Sequence, residues 1–296
     1  MHLNEWISTL RKGGGHNGKP LSPKTVRHAA VLLNGALKWA VKMQLTVTNP
    51  LTAVGMPAVP RSKARALPAD EIAKVLAAAG KTRWGPLVSL AFSTGMRRGE
   101  LCALDWADVD ERRGSVLVER SLTETRDGAA MKTTKSGRGR TVPLSRVALD
   151  ALRRQRTLQT ADRRRARELY VDGGAIFTDE LGRRISPMDA THAYGRIAKE
   201  VGASSLRLHD ARHTAATHLL VAGVDVRSVS GILGHASATT TLDTYAHLIA
   251  DAQRDAVDRL GDRLQRISKG RPADGRRRRQ PEGNRRRLPY SKKRVK

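Results

Sequence analysis

The chain has 296 residues, of which 39% are hydrophobic, enough for one large domain or two ordinary ones with real cores. Lys and Arg total 55 against 28 Asp and Glu, a net charge of +27. An excess that large exceeds what solubility requires and points to a polyanionic partner, with nucleic acid ahead of anionic membrane because no amphipathic or transmembrane stretch accompanies it.

One cysteine, Cys102, excludes a disulfide framework and a cysteine-based zinc site. The opening MHLNEWISTLRK lacks the apolar run of a secretory signal, so a cytoplasmic, nucleoid-associated protein is expected. Two Phe, four Trp and four Tyr are too few to stack many unpaired bases, which favours a double-stranded partner.

In chain order, two helical pieces come first, at residues 3–10 and 22–43. In the second, Val26, Ala30, Leu33, Ala36, Leu37 and Ala40 recur at helical spacing. A basic glycine turn around Gly13, Gly14 and Gly15 separates them. Asn49-Pro50 and the prolines at 57 and 60 break the pattern, and Arg61 to Arg65 reads as an exposed basic linker.

A larger domain begins at Leu67. Pro68-Ala69-Asp70-Glu71 opens a helix with proline in its first turn and acids where the macrodipole favours them; Ile72, Val75 and Leu76 face inward. Residues 85–93 form an apolar helix that Thr94-Gly95 ends, delivering Arg97 to the start of the next helix, whose Leu101 and Leu104 are core. Strand-like runs follow at 115–121, 130–134 and 140–144, with a turn at 136–139 joining the last two in one small sheet. A long basic helix is expected over 145–170, buried through Leu149 and Leu152.

Residues 175–178 read as a short apolar strand or turn, and further helices are expected at 188–201, 208–221, 226–233, 240–248 and 251–264. The segment 268–296 carries 13 Lys and Arg against 2 acids and reads as a disordered basic tail. Most of the net charge lies outside it.

Five stretches carry chemistry. Thr94-Gly95-Met96-Arg97-Arg98-Gly99-Glu100-Leu101 places an arginine just after a glycine bend. Lys135 precedes Arg140-Thr141-Val142-Pro143-Leu144. His209 and Arg212, three apart, share one helix face. Leu233-Gly234-His235 adds an imidazole on a turn, and Tyr245 follows. Donors from these positions can converge on one anion, for which a phosphate diester is the obvious candidate; arginine forks match its oxygens two at a time.

Other chemistries fit less well. His209, His213 and His218 lack a His-Glu-x-x-His pattern and any carboxylate or cysteine at ligand spacing, so His213 and His218 read as helix surface and no metal is implied. Cys102 sits on an apolar helix and reads as a small buried hydrophobe. Gly13 to Gly15 opens no Gly-Lys-Ser/Thr loop, so no nucleotide cofactor is implied either.

These motifs in this order resemble the tyrosine recombinases, the phage-integrase family, over roughly residues 20–265. The resemblance implies a mainly α fold with a small antiparallel β-sheet. A helical, N-terminally shortened core-binding domain is expected over 1–58, a linker over 59–66, a catalytic domain over 67–267 and the basic tail beyond. It implies Tyr245 as nucleophile, Arg97 and Arg212 as phosphate clamps, and Lys135 as the acid that protonates the leaving 5′-oxygen. His209 would serve proton transfer or phosphate binding, His235 would donate to a non-bridging oxygen, and Glu100 would position Arg97. The implied activity is site-specific DNA cleavage and rejoining, as by the integrase of a phage or integrative element, through a 3′-phosphotyrosyl link. The implied assembly is a homotetramer on two double-stranded DNA sites, with an accessory DNA-bending or excision factor as a further partner and no membrane. The alternatives are a type IB topoisomerase-like strand relaxer and a non-catalytic DNA-binding or excision-control protein.

Overall fold

The computed structural model describes residues 2–59, 66–125, 128–133 and 139–235, then 237, 239, 241, 242, 244, 245, 254, 257, 258 and 260–265. The chain divides into two units, Met1–Ala64 and Arg65–Lys296.

The first unit holds α1 (Leu3–Gly13), α2 (Pro23–Lys42) and the single turn α3 (Leu51–Val54). Ser22 caps α2: its hydroxyl accepts from the Thr25 amide at 3.2 Å, and Pro23 occupies the first turn, where its missing N–H costs nothing. Val26 and Ala30, two of the positions picked out by helical spacing, are buried, together with Ile7 of α1 and Leu51 of α3. Leu33, Leu37 and Ala40 are half-buried and Ala36 is exposed, so the apolar stripe of α2 is only partly covered. The expected linker at 59–66 falls mostly outside the described residues.

The second unit opens with α4 (Ala69–Gly80), α5 (Gly85–Thr94) and α6 (Arg98–Ala103). Leu87, Val88, Leu90 and Ala91 of α5 are all buried, so this helix is apolar around its circumference and forms the centre of the unit. Gly95 stops it. Its φ of 63° is left-handed, its amide donates to the Ala91 carbonyl at 3.0 Å, and a Cβ there would lie 2.7 Å from Leu233 Cδ2. Helix α7 (Arg146–Ala166) packs on α5 through Ala148, Ala151 and Leu152, with Leu149 partly buried; it ends four residues before the expected 170, at Arg167, whose φ is 49°. Helices α8 (Pro187–Glu200), α9 (Leu208–Val221) and α10 (Val226–Leu233) follow. Beyond them, residues 241, 242, 244, 245, 254, 257, 258 and 260–265 are helical, and the rest of the two last expected helices and the tail lie outside the described residues.

The strands differ from expectation in pairing. Instead of one sheet, the described residues form two, both antiparallel: β1 (Val109–Asp110), β2 (Ser115–Val118) and β5 (Arg140–Pro143) make one, β3 (Arg120–Thr125) and β4 (Gly128–Thr133) the other. The last two runs are therefore not partners: β5 returns to β2, with Val116 opposite Val142, while β4 pairs with β3, with Leu122 opposite Met131. Burial explains the choice. Val116, Val118 and Val142 are all buried and belong on one covered face, whereas Leu122 is the single buried residue of the β3–β4 hairpin. The fold is mainly helical with small antiparallel sheets. Among the described residues no helix is long and apolar enough to cross a membrane.

Candidate functional site

The site begins where α5 stops. After Gly95 and the buried Met96, Arg97 takes an extended backbone (φ −68°, ψ 148°) and caps α6. Three residues on, Glu100 turns back on it: Oε2 accepts from the Arg97 amide at 2.9 Å and Oε1 from Arg97 Nη1 at 2.8 Å. Arg140, the first residue of β5, donates to the same carboxylate with both guanidinium arms, Nη1 at 3.0 Å and Nη2 at 2.7 Å. Glu100 is 1% exposed. Burial acts to raise its pKa, and the bonds from Arg140 and Arg97 more than reverse this, leaving it below the usual carboxylate value.

The same two arginines hold the end of α10. Arg140 Nε donates to the Ile232 carbonyl at 2.9 Å and Arg97 Nη2 to the Gly234 carbonyl at 2.8 Å. Gly234 is required twice over: its φ is 66°, and a Cβ would stand 2.7 Å from Arg140 Cζ. His235 is thereby delivered beside Arg97. Its Nδ1 bonds to Thr241 Oγ1 at 2.7 Å, and its pKa is pushed down to about 4, by burial first and then by Arg212 and Arg97.

Helix α9 supplies the other wall. Arg212 is 4% exposed; Nη1 donates to the Gly95 carbonyl at 2.8 Å, and Nη2 is buried with no hydrogen-bond partner among the described residues. Its pKa is pulled down to about 10, chiefly by burial and next by repulsion from Arg97. Two arginines already share the Glu100 carboxylate, so among the described residues the third guanidinium is left with a positive charge that this single carboxylate only partly offsets. A buried donor and an uncompensated charge form a receptor for an anion.

His209 stands at the rim, open to solvent on its outer side, with its pKa lowered by lost hydration and then by His213 and Arg212. His213 lies edge-on to it, ring centres 4.9 Å apart, and its own pKa falls because of burial. Tyr245 is 1% exposed, and its hydroxyl meets His213 Nδ1 at 2.7 Å. Burial raises the phenol to about 12 despite Arg212 nearby.

Arg97, His209, Arg212, His235 and Tyr245 are thus brought together, and Lys135 lies outside the described residues. Two members were missed in the sequence. His213, expected on the helix surface, is half-buried against Tyr245; its spacing of four from His209 puts the two rings on one face, which was the available signal. Arg140 was legible only as the start of a strand, because nothing local ties it to Glu100, 40 residues away. His218 is exposed, as expected.

Three imidazoles are held below their ordinary pKa by burial first and then by neighbouring positive charge, and they should regain protons when an anion cancels the second of these. Sulfate, whose charge is constant over this range, is therefore expected to bind with net proton uptake and more tightly as pH falls from 7 to 5.5. Calorimetry in two buffers of different ionisation heat measures the uptake. An affinity that is flat or weaker toward acid contradicts the coupling.

Residues 65–251 match the phage integrase family. The tyrosine recombinase XerC of Mycobacterium tuberculosis is 32% identical over 271 residues, covering 88% of this chain and 83% of that protein. A XerC-like tyrosine recombinase of Caldanaerobacter subterraneus is 30% identical over 261 residues, 81% of this chain and 66% of that protein. Among solved structures, the Tn1549 transposon integrase in complex with transposon right end DNA superposes with a TM-score of 0.71 at 24% identity, covering 87% of this chain and 84% of that one. XerA recombinase does so with a TM-score of 0.53 at 24% identity, covering 87% and 88%; these two likenesses speak for the fold. A family match over most of the larger unit, with relatives of 30% identity or more along most of the chain, makes this protein a member of the phage integrase family, the tyrosine recombinases.

Proposed function

We propose that the chain is a site-specific DNA recombinase, the integrase of a phage or another integrative element, which cuts and rejoins duplex DNA through Tyr245. The observation that carries this reading is Arg212 Nη2, which has no partner among the described residues and is buried beside Arg97 and within electrostatic reach of the Tyr245 phenol. A phosphodiester there would receive arginine donors on its non-bridging oxygens, which gain negative charge as the phenol attacks. His235 and His209 complete the hydrogen bonding around those oxygens. Lys135, on the segment between β4 and β5, is the proposed acid for the leaving 5′-oxygen. The product is a 3′-phosphotyrosyl link and a free 5′-hydroxyl; the bond energy is stored in the link, so rejoining needs no nucleotide.

In this reading residues 1–58 form a DNA-binding domain, 59–66 a linker, 67–267 the catalytic domain and 268–296 a basic tail that adds phosphate contacts. The protein works in the cytoplasm as a homotetramer on two DNA sites, and an accessory DNA-bending or excision factor sets the direction of exchange. The solved relatives include a λ integrase dimer bound to a core site and a λ integrase tetramer bound to a Holliday junction, which supports duplex DNA as partner and assembly on it.

The test uses a pool of duplexes with a randomised core and a nick placed so that the short 5′-hydroxyl fragment diffuses away. A covalent adduct that survives detergent, is blocked at the DNA 3′ end and maps by peptide mass to Tyr245 is expected. An adduct on another residue, or a complex that is only salt-sensitive and non-covalent, would refute the reading.

A further inference from the structure

Attack by a phenol requires somewhere for its proton to go, and the structure supplies a place other than the histidine of the His-x-x-Arg motif. The Tyr245 hydroxyl is hydrogen-bonded to His213 Nδ1, at 2.7 Å, and not to His209. The two rings are 6.1 Å apart centre to centre and tilted by 58°, while His209 meets His213 edge-on from the far side. We propose that His213 is the general base of strand cleavage, accepting the Tyr245 proton on Nδ1 as the phenol oxygen attacks phosphorus. This rests on Tyr245 being the nucleophile.

The surroundings suit an acceptor. Burial holds the phenol near 12, so it does not ionise unaided at neutral pH. His213 is kept neutral there by its own burial and by Arg212, and with its proton on Nε2 it offers Nδ1 as a lone pair. The charged and titratable neighbours on α9 are His209, Asp210 and Arg212; Tyr245 faces it from the following segment. Asp210 raises the basicity of His213 and Arg212 lowers it. When a phosphodiester occupies Arg212, the opposing charge is neutralised and Asp210 is left to favour the imidazolium. The base therefore strengthens only once substrate is in place.

The step balances. The Tyr245 O–H bond breaks and an Nδ1–H bond forms on His213; the phenol oxygen bonds to phosphorus and the P–O5′ bond breaks, its oxygen taking a proton from the general acid. In rejoining, an incoming 5′-hydroxyl displaces the tyrosine oxygen, which recovers its proton from His213.

The experiment is single-turnover cleavage of the duplex selected above, at saturating DNA, from pH 6 to 10, by wild type, His213→Gln, His209→Gln and Lys135→Ala. Gln keeps a hydrogen bond to the phenol and cannot take its proton. His213→Gln is expected to cleave about 10²-fold more slowly at pH 7 with unchanged DNA affinity, and to converge on wild type as pH rises toward the phenol's own pKa. A substrate with sulfur at the bridging 5′ position, which leaves without protonation, should rescue Lys135→Ala and leave His213→Gln slow. If His213→Gln does not fold, added imidazole should restore cleavage to His213→Ala and not to His209→Ala. Wild-type rates in His213→Gln, rescue of it by the sulfur substrate, or alkaline convergence seen in His209→Gln instead would overturn the assignment. Absence of a Tyr245 adduct in wild type would overturn both readings, whereas that adduct beside an unimpaired His213→Gln overturns this one alone.

Discussion

Replacing Arg212 by Gln is expected to slow strand cleavage by about 10² to 10³ while leaving the melting temperature unchanged or higher. Most buried side chains lose stability when truncated, so the second half of that result is the informative one. Arg212 is 4% exposed and, among the described residues, makes one hydrogen bond to Gly95 and leaves Nη2 unpartnered. Its pKa is drawn below the ordinary guanidinium value to about 10, because burial and then Arg97 disfavour its charge. A depressed pKa on a base means the folded surroundings stabilise the charged form less than water does, although Arg212 stays charged at neutral pH. Its penalty is fully present below about pH 10 and fades as pH rises from there toward the ordinary guanidinium value. At 1.36 kcal/mol per unit the penalty is about 3 kcal/mol, enough to offset the roughly 1.5 to 3 kcal/mol of a hydrogen bond from a charged group lost with the side chain. Calorimetric melting and single-turnover cleavage, measured on the same preparation, check both halves. A melting point lowered by more than about 5 °C, or a rate within tenfold of wild type, would show that Arg212 is a structural residue.

Glu100→Ala is expected to do the opposite, lowering stability by about 3 to 5 kcal/mol and taking activity with it. Its carboxylate joins Arg97, the Arg97 amide and both arms of Arg140. The Arg140 side chain is 13% exposed and cannot relax into water, so most of the cost falls there; Arg97, at 32%, recovers part of its hydration. Glu100→Gln keeps the volume and loses the charge, and should fall between. The pH dependence has a definite sign. A carboxylate whose folded pKa lies below its unfolded value of 4.5 contributes stability that is present above pH 4.5 and lost as pH falls through the lower folded value. The acid limb of a stability profile should therefore flatten in Glu100→Gln. An unchanged acid limb with near-wild-type stability would mean that the two arginines find other partners.

The contrast between these residues follows from charge count. Arg97, Arg140 and Arg212 surround one carboxylate, and removing the carboxylate strands two cations, whereas removing Arg212 relieves an imbalance. An anion does what removing Arg212 does without losing the donor.

Helix identity and order were legible in the residues alone. The runs at Val26 and Ala30, the apolar stretch from Leu87 to Ala91, and the stop at Gly95 obey rules that act within one or two turns, so a reading by periodicity and capping places α2, α5, α9 and α10 with little else. Arg97, His209, Arg212, His235 and Tyr245 were identified by motif order, and the structure brings all five to one place. Strand pairing was not legible, because hydrogen bonding by β5 to β2 and not to β4 depends on which face finds cover, and no local signal reports that. The partners of the charges were hidden for the same reason. Arg140 reaches Glu100 across 40 residues and Ile232 across 92, and His213 reaches Tyr245 across 32. Sequence by itself determined what the backbone does turn by turn and which residue types carry the chemistry; tertiary packing alone decided which buried donor is left without an acceptor and which imidazole meets the phenol. Those two outcomes depend on distances between segments that have no sequence neighbours in common.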